Sequence, residues 1–149
     1  FFLSVRDSGV IPITHKDMTR FNISLQDGVN MVMWAIGNHL GGEIFIPKIP
    51  SYRILDVAAA VAPECKTEII GIRPGEKLHE EMITDTDSLH TIDLGDYYAI
   101  LPSVSYAHSD DDFLSHHKAD RVSFGFKYNS GTNVQWETVD SLRDLINKG

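Results

Sequence analysis

Apolar residues recur at two periods along this chain, and the switches between them mark its elements. Val29, Val32, Met33 and Ile36 fall three or four positions apart, the spacing that lines one face of a helix. Ser24 stands just ahead of them as a side-chain acceptor for the first free N–H groups, so a helix over 25–36 is expected. A second helical run, 52–62, carries Ile54, Leu55, Val57, Ala58 and Val61, with Ser51 read as its cap and Pro63 as its stop. Short apolar runs between breakers predict strands at 10–14, 43–47 and 67–72. Residues 1–7 read as the tail of a helix stopped by Gly9, and 75–83 as the opening of another helix. One or two strands are expected in 89–101, and a closing helix over 138–148 that buries Val139, Leu142, Leu145 and Ile146. The polar stretch 108–133, with Asp110-Asp111-Asp112 and His116-His117, reads as a long surface segment. Strands alternating with helices predict an α/β architecture.

Composition narrows the function classes. A chain of 149 residues is one domain's worth, with 42% apolar and 23% charged residues. A formal charge of −8 argues against nucleic-acid and anionic-membrane binders, which need basic surfaces. Any anionic ligand must then be held by a few local cations, which makes the individual arginines worth locating. Cys65 is the single cysteine, so neither an internal disulfide nor a cysteine metal cage is expected, in keeping with a reducing cytoplasm. No apolar run approaches the ~20 residues that span a bilayer, and the first residues lack a basic region ahead of an apolar one. The chain also has no initiator Met and is expected to begin inside a longer gene product.

The most informative stretch is 69–83, where an apolar run enters Arg73-Pro74-Gly75-Glu76. Pro74 fixes one φ and Gly75 relaxes steric limits, so the chain can turn sharply between Arg73 and Glu76. A guanidinium offers planar, bidentate donors suited to phosphate, and a carboxylate beside it can accept from ribose hydroxyls. Spacing alone leaves open a plain surface pairing of Arg73 with Glu76 or Glu80.

Arg73-Pro-Gly-Glu-Lys-Leu-His-Glu80 resembles a signature of the inverting UDP-N-acetylglucosamine 4,6-dehydratases, polysaccharide-biosynthesis members of the extended short-chain dehydrogenase/reductase superfamily. Other segments agree in order: Ile13-Thr14, Met18-Thr-Arg-Phe21, Asp27-Gly-Val29, Gly41-Gly-Glu-Ile-Phe-Ile-Pro-Lys-Ile-Pro50, Gly95-Asp-Tyr-Tyr98 and Tyr128-Asn-Ser-Gly-Thr-Asn133. The resemblance implies a carboxy-terminal substrate lobe together with the last helix and strand of a Rossmann sheet, the rest of that domain being absent. It implies one incomplete unit, with about 20–62 completing the sheet and about 1–19 and 63–149 forming the lobe. Arg20 and Arg73 would clamp the substrate diphosphate and Glu76 the uridine ribose, Glu standing where many relatives have Asp. The implied partners are UDP-N-acetylglucosamine, an upstream Rossmann half and further copies in a homo-oligomer, in the cytoplasm.

The family's reaction takes hydride from C4 of the sugar to NADP⁺, eliminates water across C5 and C6, and returns hydride to C6 with inversion at C5. That needs a glycine-rich loop and a Tyr and Lys four residues apart. Tyr52, Tyr97, Tyr98, Tyr106 and Tyr128 are followed at that interval by Asp56, Leu101, Pro102, Asp110 and Thr132, and the glycines form no such loop. No catalytic or cofactor-binding residue is therefore expected here, and none for a metal. Without upstream strands, Ile44, Phe45 and Ile46 would lie on an apolar sheet edge. Alternatives are a UDP-sugar epimerase of the same superfamily, or a non-catalytic nucleotide-sugar-binding or oligomerisation module. Lys48, His79-Glu80 and the paired His116-His117 read as solvated loop residues, Met33 and Trp34 as core, and Trp136 as a packing anchor. Tyr97 and Tyr98 read equally as pocket or buried residues.

Overall fold

The computed structural model describes residues 1–104 and 107–148, so Tyr106 lies outside the described residues. The helices are α1 (Phe2–Val5), α2 (Leu25–Asn38), α3 (Ile54–Val61), α4 (Asp110–His117) and α5 (Val139–Lys148). The strands are β1 (Val10–Ile13), β2 (Thr19–Phe21), β3 (Ile44–Pro47), β4 (Ser51–Arg53), β5 (Lys66–Ile69), β6 (Glu81–Ile83), β7 (Thr91–Asp93), β8 (Tyr97–Ile100), β9 (Asp120–Arg121) and β10 (Tyr128–Asn129). The result is a mixed α/β chain with small sheets. It packs as two compact units, Phe1–Asn22 with Pro50–Glu80 and Asn129–Gly149, and Ile23–Ile49 with Glu81–Tyr128. This division follows packing, whereas the segments implied by the resemblance follow which residues would complete an upstream sheet.

In the first unit β1 and β5 pair in parallel, with Val10 opposite Lys66 and Ile13 opposite Ile69. Parallel strands need a long crossover, and α3 lies within it. Ile11 and Ile13 alternate inward, are fully buried, and pack on Ala58 of α3 and on Ala62 just past its end. Each such isoleucine contributes about 1.5–3 kcal/mol on leaving water. β2 and β4 pair antiparallel, placing Arg20 opposite Tyr52 and Phe21 opposite Ser51.

Ser51 is therefore a strand residue and not the helix cap that its position suggested. Its N–H donates to Gln135 O, its carbonyl accepts from Glu137 N–H, and its Oγ accepts from Asn133 Nδ2. With its polar groups so engaged, α3 begins at Ile54 without a side-chain cap. α5 packs against α3, but Leu145 remains 41% exposed and only Leu142 of the four expected residues is buried.

The second unit carries a four-stranded antiparallel sheet in the order β3-β8-β7-β9. Ile92, Ala99, Leu101 and Phe113 form its core. Phe113 belongs to α4, so the segment 108–133 is not the wholly superficial stretch expected. Ser109 Oγ accepts from Asp112 N–H while the Asp112 carboxylate accepts from Ser109 N–H, a capping box that starts the helix. The three aspartates lie in its first turn, where the helix dipole favours negative charge. His117, at the other end, is buried with Glu43, Nε2 to Oε1 being 3.5 Å, which overturns the solvated reading for that histidine. Burial raises the Glu43 pKa, but donation from the Leu40 and Gly41 N–H groups and the His117 contact hold it below the usual carboxylate range on balance.

α2 forms as expected, with a capping box between Ser24 and Asp27. Its apolar stripe, however, faces outward: Val32 is 57%, Met33 65% and Ile36 63% exposed. Met33 is thus not a core residue. The helix is held instead through Trp34, half-buried, stacked on Tyr97 at 4.2 Å and edge-on to Phe45 at 5.1 Å. β3 pairs with β8 on one side only, leaving Ile44 61% exposed, while Ile46 is buried by that pairing. Lys48 is not a free loop lysine: its Nζ pairs with Asp93 and lies 4.3 Å from the centre of the Tyr98 ring.

Candidate functional site

Strand β2 is too short to need more than its alternation to be understood. Thr19 and Phe21 are buried and Arg20, between them, points to the other face with Tyr52 of β4. The segment 73–80 comes to the same neighbourhood, but not as the helix that sequence predicted. Glu76 N–H donates to Arg73 O at 3.0 Å, closing a four-residue turn with Pro74 second and Gly75 third. Gly75 has φ +84°, the left-handed value that a type II turn demands at that position. A Pro-Gly pair satisfies that turn better than it starts a helix, and residues 81–83 continue as strand β6.

The Glu76 carboxylate folds back over the turn. Its Oε2 accepts from Arg73 N–H at 3.2 Å and its Oε1 lies 3.7 Å from Arg20 Nη2. Arg20 is 18% exposed and donates through Nη1 to the carbonyls of Thr19 (2.7 Å) and Leu78 (3.3 Å). Among the described residues its remaining edge, Nε and Nη2, meets Glu80 Oε1 at 3.4 Å and Glu76 Oε1 at 3.7 Å, both beyond normal hydrogen-bond length. That edge is the fork suited to two oxygens of a phosphate or carboxylate. The Arg73 guanidinium is exposed and has no ion-pair or hydrogen-bond partner among the described residues.

The structure thus brings Arg20 and Glu76 together directly, and joins Arg73 to them through its backbone N–H. It also adds groups that the sequence reading did not select. Glu80 faces Arg20 and accepts from Phe21 N–H at 3.3 Å. Burial pushes the Tyr52 phenol up, the Glu80 carboxylate adds to that, and the Arg20 cation partly opposes it. The alternation Thr19-Arg20-Phe21 against Ser51-Tyr52-Arg53 was the available signal, but the pairing of two three-residue strands is not written in either one. The four charged groups, two arginines and two glutamates, sum to zero, so an incoming anion meets no net repulsion from the cluster itself.

Trp136 is half-buried beneath the Arg53 guanidinium at 4.4 Å and donates from Nε1 to Asn133 O, in keeping with a packing role. Among the described residues no group of three or more His, Cys, Asp or Glu is arranged to hold a metal ion, and no helix is long and apolar enough to cross a membrane.

The polysaccharide biosynthesis protein family matches residues 1–102, more than half of the chain. The chain belongs to that family. It is 46% identical, over 99% of its own length, to the inverting UDP-N-acetylglucosamine 4,6-dehydratase of Campylobacter jejuni, and covers 46% of that protein. It is 36% identical over 67% of its length to the UDP-glucose 4-epimerase of Rickettsia canadensis, covering 30% of it. The crystal structure of Pen from Bacillus thuringiensis superposes with a TM-score of 0.76 at 27% identity, over 99% of this chain and 44% of that one. The chain therefore spans about half the length, or less, of the proteins it matches.

Proposed function

We propose that this chain is the carboxy-terminal, UDP-sugar-gripping part of an NADP-dependent UDP-N-acetylglucosamine 4,6-dehydratase that inverts C5 and serves surface-glycan synthesis in the cytoplasm. The observation that carries the reading is the meeting of Arg20, Glu76 and the Arg73 turn in one unit, with the Arg20 fork loosely occupied. In this reading Arg20 and Arg73 hold the diphosphate. Glu76, released from Arg20 by the incoming anion, accepts from the ribose hydroxyls.

A dinucleotide does not fit the residues described. A pyrophosphate needs a helix N-terminus with free N–H groups and a glycine-rich approach. Here the start of α2 is closed by Ser24 and Asp27, that of α4 carries three aspartates, that of α5 is closed by Thr138 and Ser141, and that of α3, though uncapped, follows Ser51-Tyr52-Arg53 with no glycine to admit a phosphate. In the proposal the NADP site lies upstream in the same protein. The exposed stripe of α2 supports this: two open, apolar grooves of about 560 and 510 Å³ run along α2 and against Ile44 and Phe45. Faces of that kind are normally covered. An upstream Rossmann half would cover them, with residues of about 20–62 completing its sheet, and copies would associate as a homo-oligomer.

The test is incubation of the intact protein with UDP-N-acetylglucosamine and NADP⁺, followed by mass spectrometry of the nucleotide sugar. Loss of one water with appearance of a C4 ketone is expected. The likeness to a UDP-glucose 4-epimerase gives a second reading, in which the product has unchanged mass and inverted C4. Absence of either product would leave only a binding module.

A further inference from the structure

Behind Arg20, in the first unit, lies a chain of hydroxyl and imidazole groups that the proposed substrate contacts do not use. Glu80 N–H donates to Ser130 Oγ at 2.9 Å, Ser130 Oγ lies 2.7 Å from Thr19 Oγ1, and Thr19 Oγ1 lies 2.8 Å from His79 Nδ1. Thr19 is 4% exposed and Ser130 fully buried, so each hydroxyl hydrogen must find an acceptor inside the protein. Only one direction satisfies both. If Nδ1 carried the proton, it would donate to Thr19 and Thr19 to Ser130. Ser130, already accepting from Glu80, would then bury a hydrogen for which no acceptor remains among the described residues. If Nδ1 is bare, Ser130 donates to Thr19, Thr19 donates to His79, and every hydrogen is used.

A second observation fixes the ring independently. A Cβ added to Gly131 would lie 2.6–2.8 Å from three ring atoms of His79, so the imidazole rests flat against a backbone that only glycine permits. Ser130 N–H also donates to Glu80 O, and Thr19 N–H to Leu78 O. Three separate stretches of chain, 19–20, 78–80 and 130–131, are thereby tied around one ring.

We propose that His79, held as the Nε2-protonated tautomer by the Thr19–Ser130 relay and the bare backbone of Gly131, is a positioning residue that fixes Arg20 and the Arg73–Glu76 turn in the geometry that receives the diphosphate. It does not touch the diphosphate itself. The inference deepens the nucleotide-sugar reading and rests on it for its ligand. It explains why the Asn129–Asn133 segment, distant in sequence, belongs with the Arg-Pro-Gly-Glu turn: the first supplies the wall and the second the ring.

The test combines calorimetry with nitrogen-15 NMR on the intact protein, using UDP as the probe. The wild-type His79 ring should show the Nε2-protonated pattern with and without UDP. His79→Asn, whose side-chain oxygen can stand at the Nδ1 position, should keep UDP affinity within about threefold, whereas His79→Ala and Thr19→Val should lose at least about tenfold, or one power of ten in Kd. The Arg20 Nε–H resonance should move in His79→Ala and stay in His79→Asn. An Nδ1-protonated ring, or a His79→Ala protein with unchanged affinity and an unchanged Arg20 resonance, would overturn the proposal. If the wild type binds no UDP, the nucleotide-sugar reading fails on its own. The Arg20 resonance then still decides the role of His79, moving if it positions Arg20 and unmoved if it does not.

Discussion

Replacing Gly131 with alanine probes the packing under the candidate site with a single methyl group. The new Cβ would stand 2.6 Å from His79 Nδ1, 2.7 Å from Cγ and 2.8 Å from Cε1. Cγ is the root of the ring and Nδ1 its hydrogen-bonded nitrogen, so the imidazole cannot swing aside without leaving Thr19 Oγ1, 2.8 Å away. The backbone cannot withdraw freely either, since Gly131 N–H donates to Asn129 Oδ1 at 2.7 Å and Ser130 N–H to Glu80 O at 2.8 Å. Overpacking of this kind costs about 1–3 kcal/mol. In a domain of this size each kcal/mol lowers Tm by about 2–4 °C, so a fall of about 2–12 °C is expected. The His79→Ala background removes the obstacle. There the same substitution should cost nothing, or stabilise by about 0.4–1 kcal/mol through the lost freedom of the unfolded chain. Denaturant titration of the four proteins of the cycle gives the coupling, expected at about 1–3 kcal/mol. An equal loss in both backgrounds, or no loss in either, would refute the close packing of His79 on Gly131.

Two further outcomes follow from the second unit. Phe113 is fully buried among Ile92, Ala99 and Leu101, so Phe113→Ala should lower unfolding free energy by about 3–5 kcal/mol in a urea titration, a loss that a surface segment could not give. Glu43 has a folded pKa below its ordinary 4.5 because N–H donors outweigh burial. Its contribution is complete above the ordinary value and disappears as pH falls through the lower folded one. Stability of Glu43→Gln measured against pH should therefore be lower than wild type at neutral pH and converge with it in acid; parallel curves would contradict this.

The reach of the sequence can be judged residue by residue. The 3.6-residue period of 25–36 and the Ser24 cap were enough for α2, because both are local. What the period could not say was which side would be covered: Val32, Met33 and Ile36 are apolar whether they meet a core, a partner or solvent. Ser51 failed as a cap because its polar groups are taken by residues more than eighty positions away. The helix expected after Gly75 failed for a local reason, since Pro-Gly fits a type II turn. α4 carried its own signal in Ser109-x-x-Asp112, but the run of aspartates obscured the one phenylalanine that it buries. At the site, Arg20, Arg73 and Glu76 came from resemblance to a signature. Tyr52, His79, Glu80 and Ser130 join them through strand pairing and loop contacts that no spacing encodes.

Arg73 offers the cleanest trial of the ligand site, because its guanidinium is exposed and has no partner among the described residues, so its removal should leave the fold intact. Calorimetric titration of UDP into the intact protein and into Arg73→Ala measures its role directly. A hydrogen bond to a charged group contributes about 1.5–3 kcal/mol, so affinity should fall by roughly 10- to 150-fold, with a weaker dependence on salt and unchanged thermal stability. Equal affinity and equal salt dependence in the two proteins would mean that the diphosphate is not held at the Arg73–Glu76 turn.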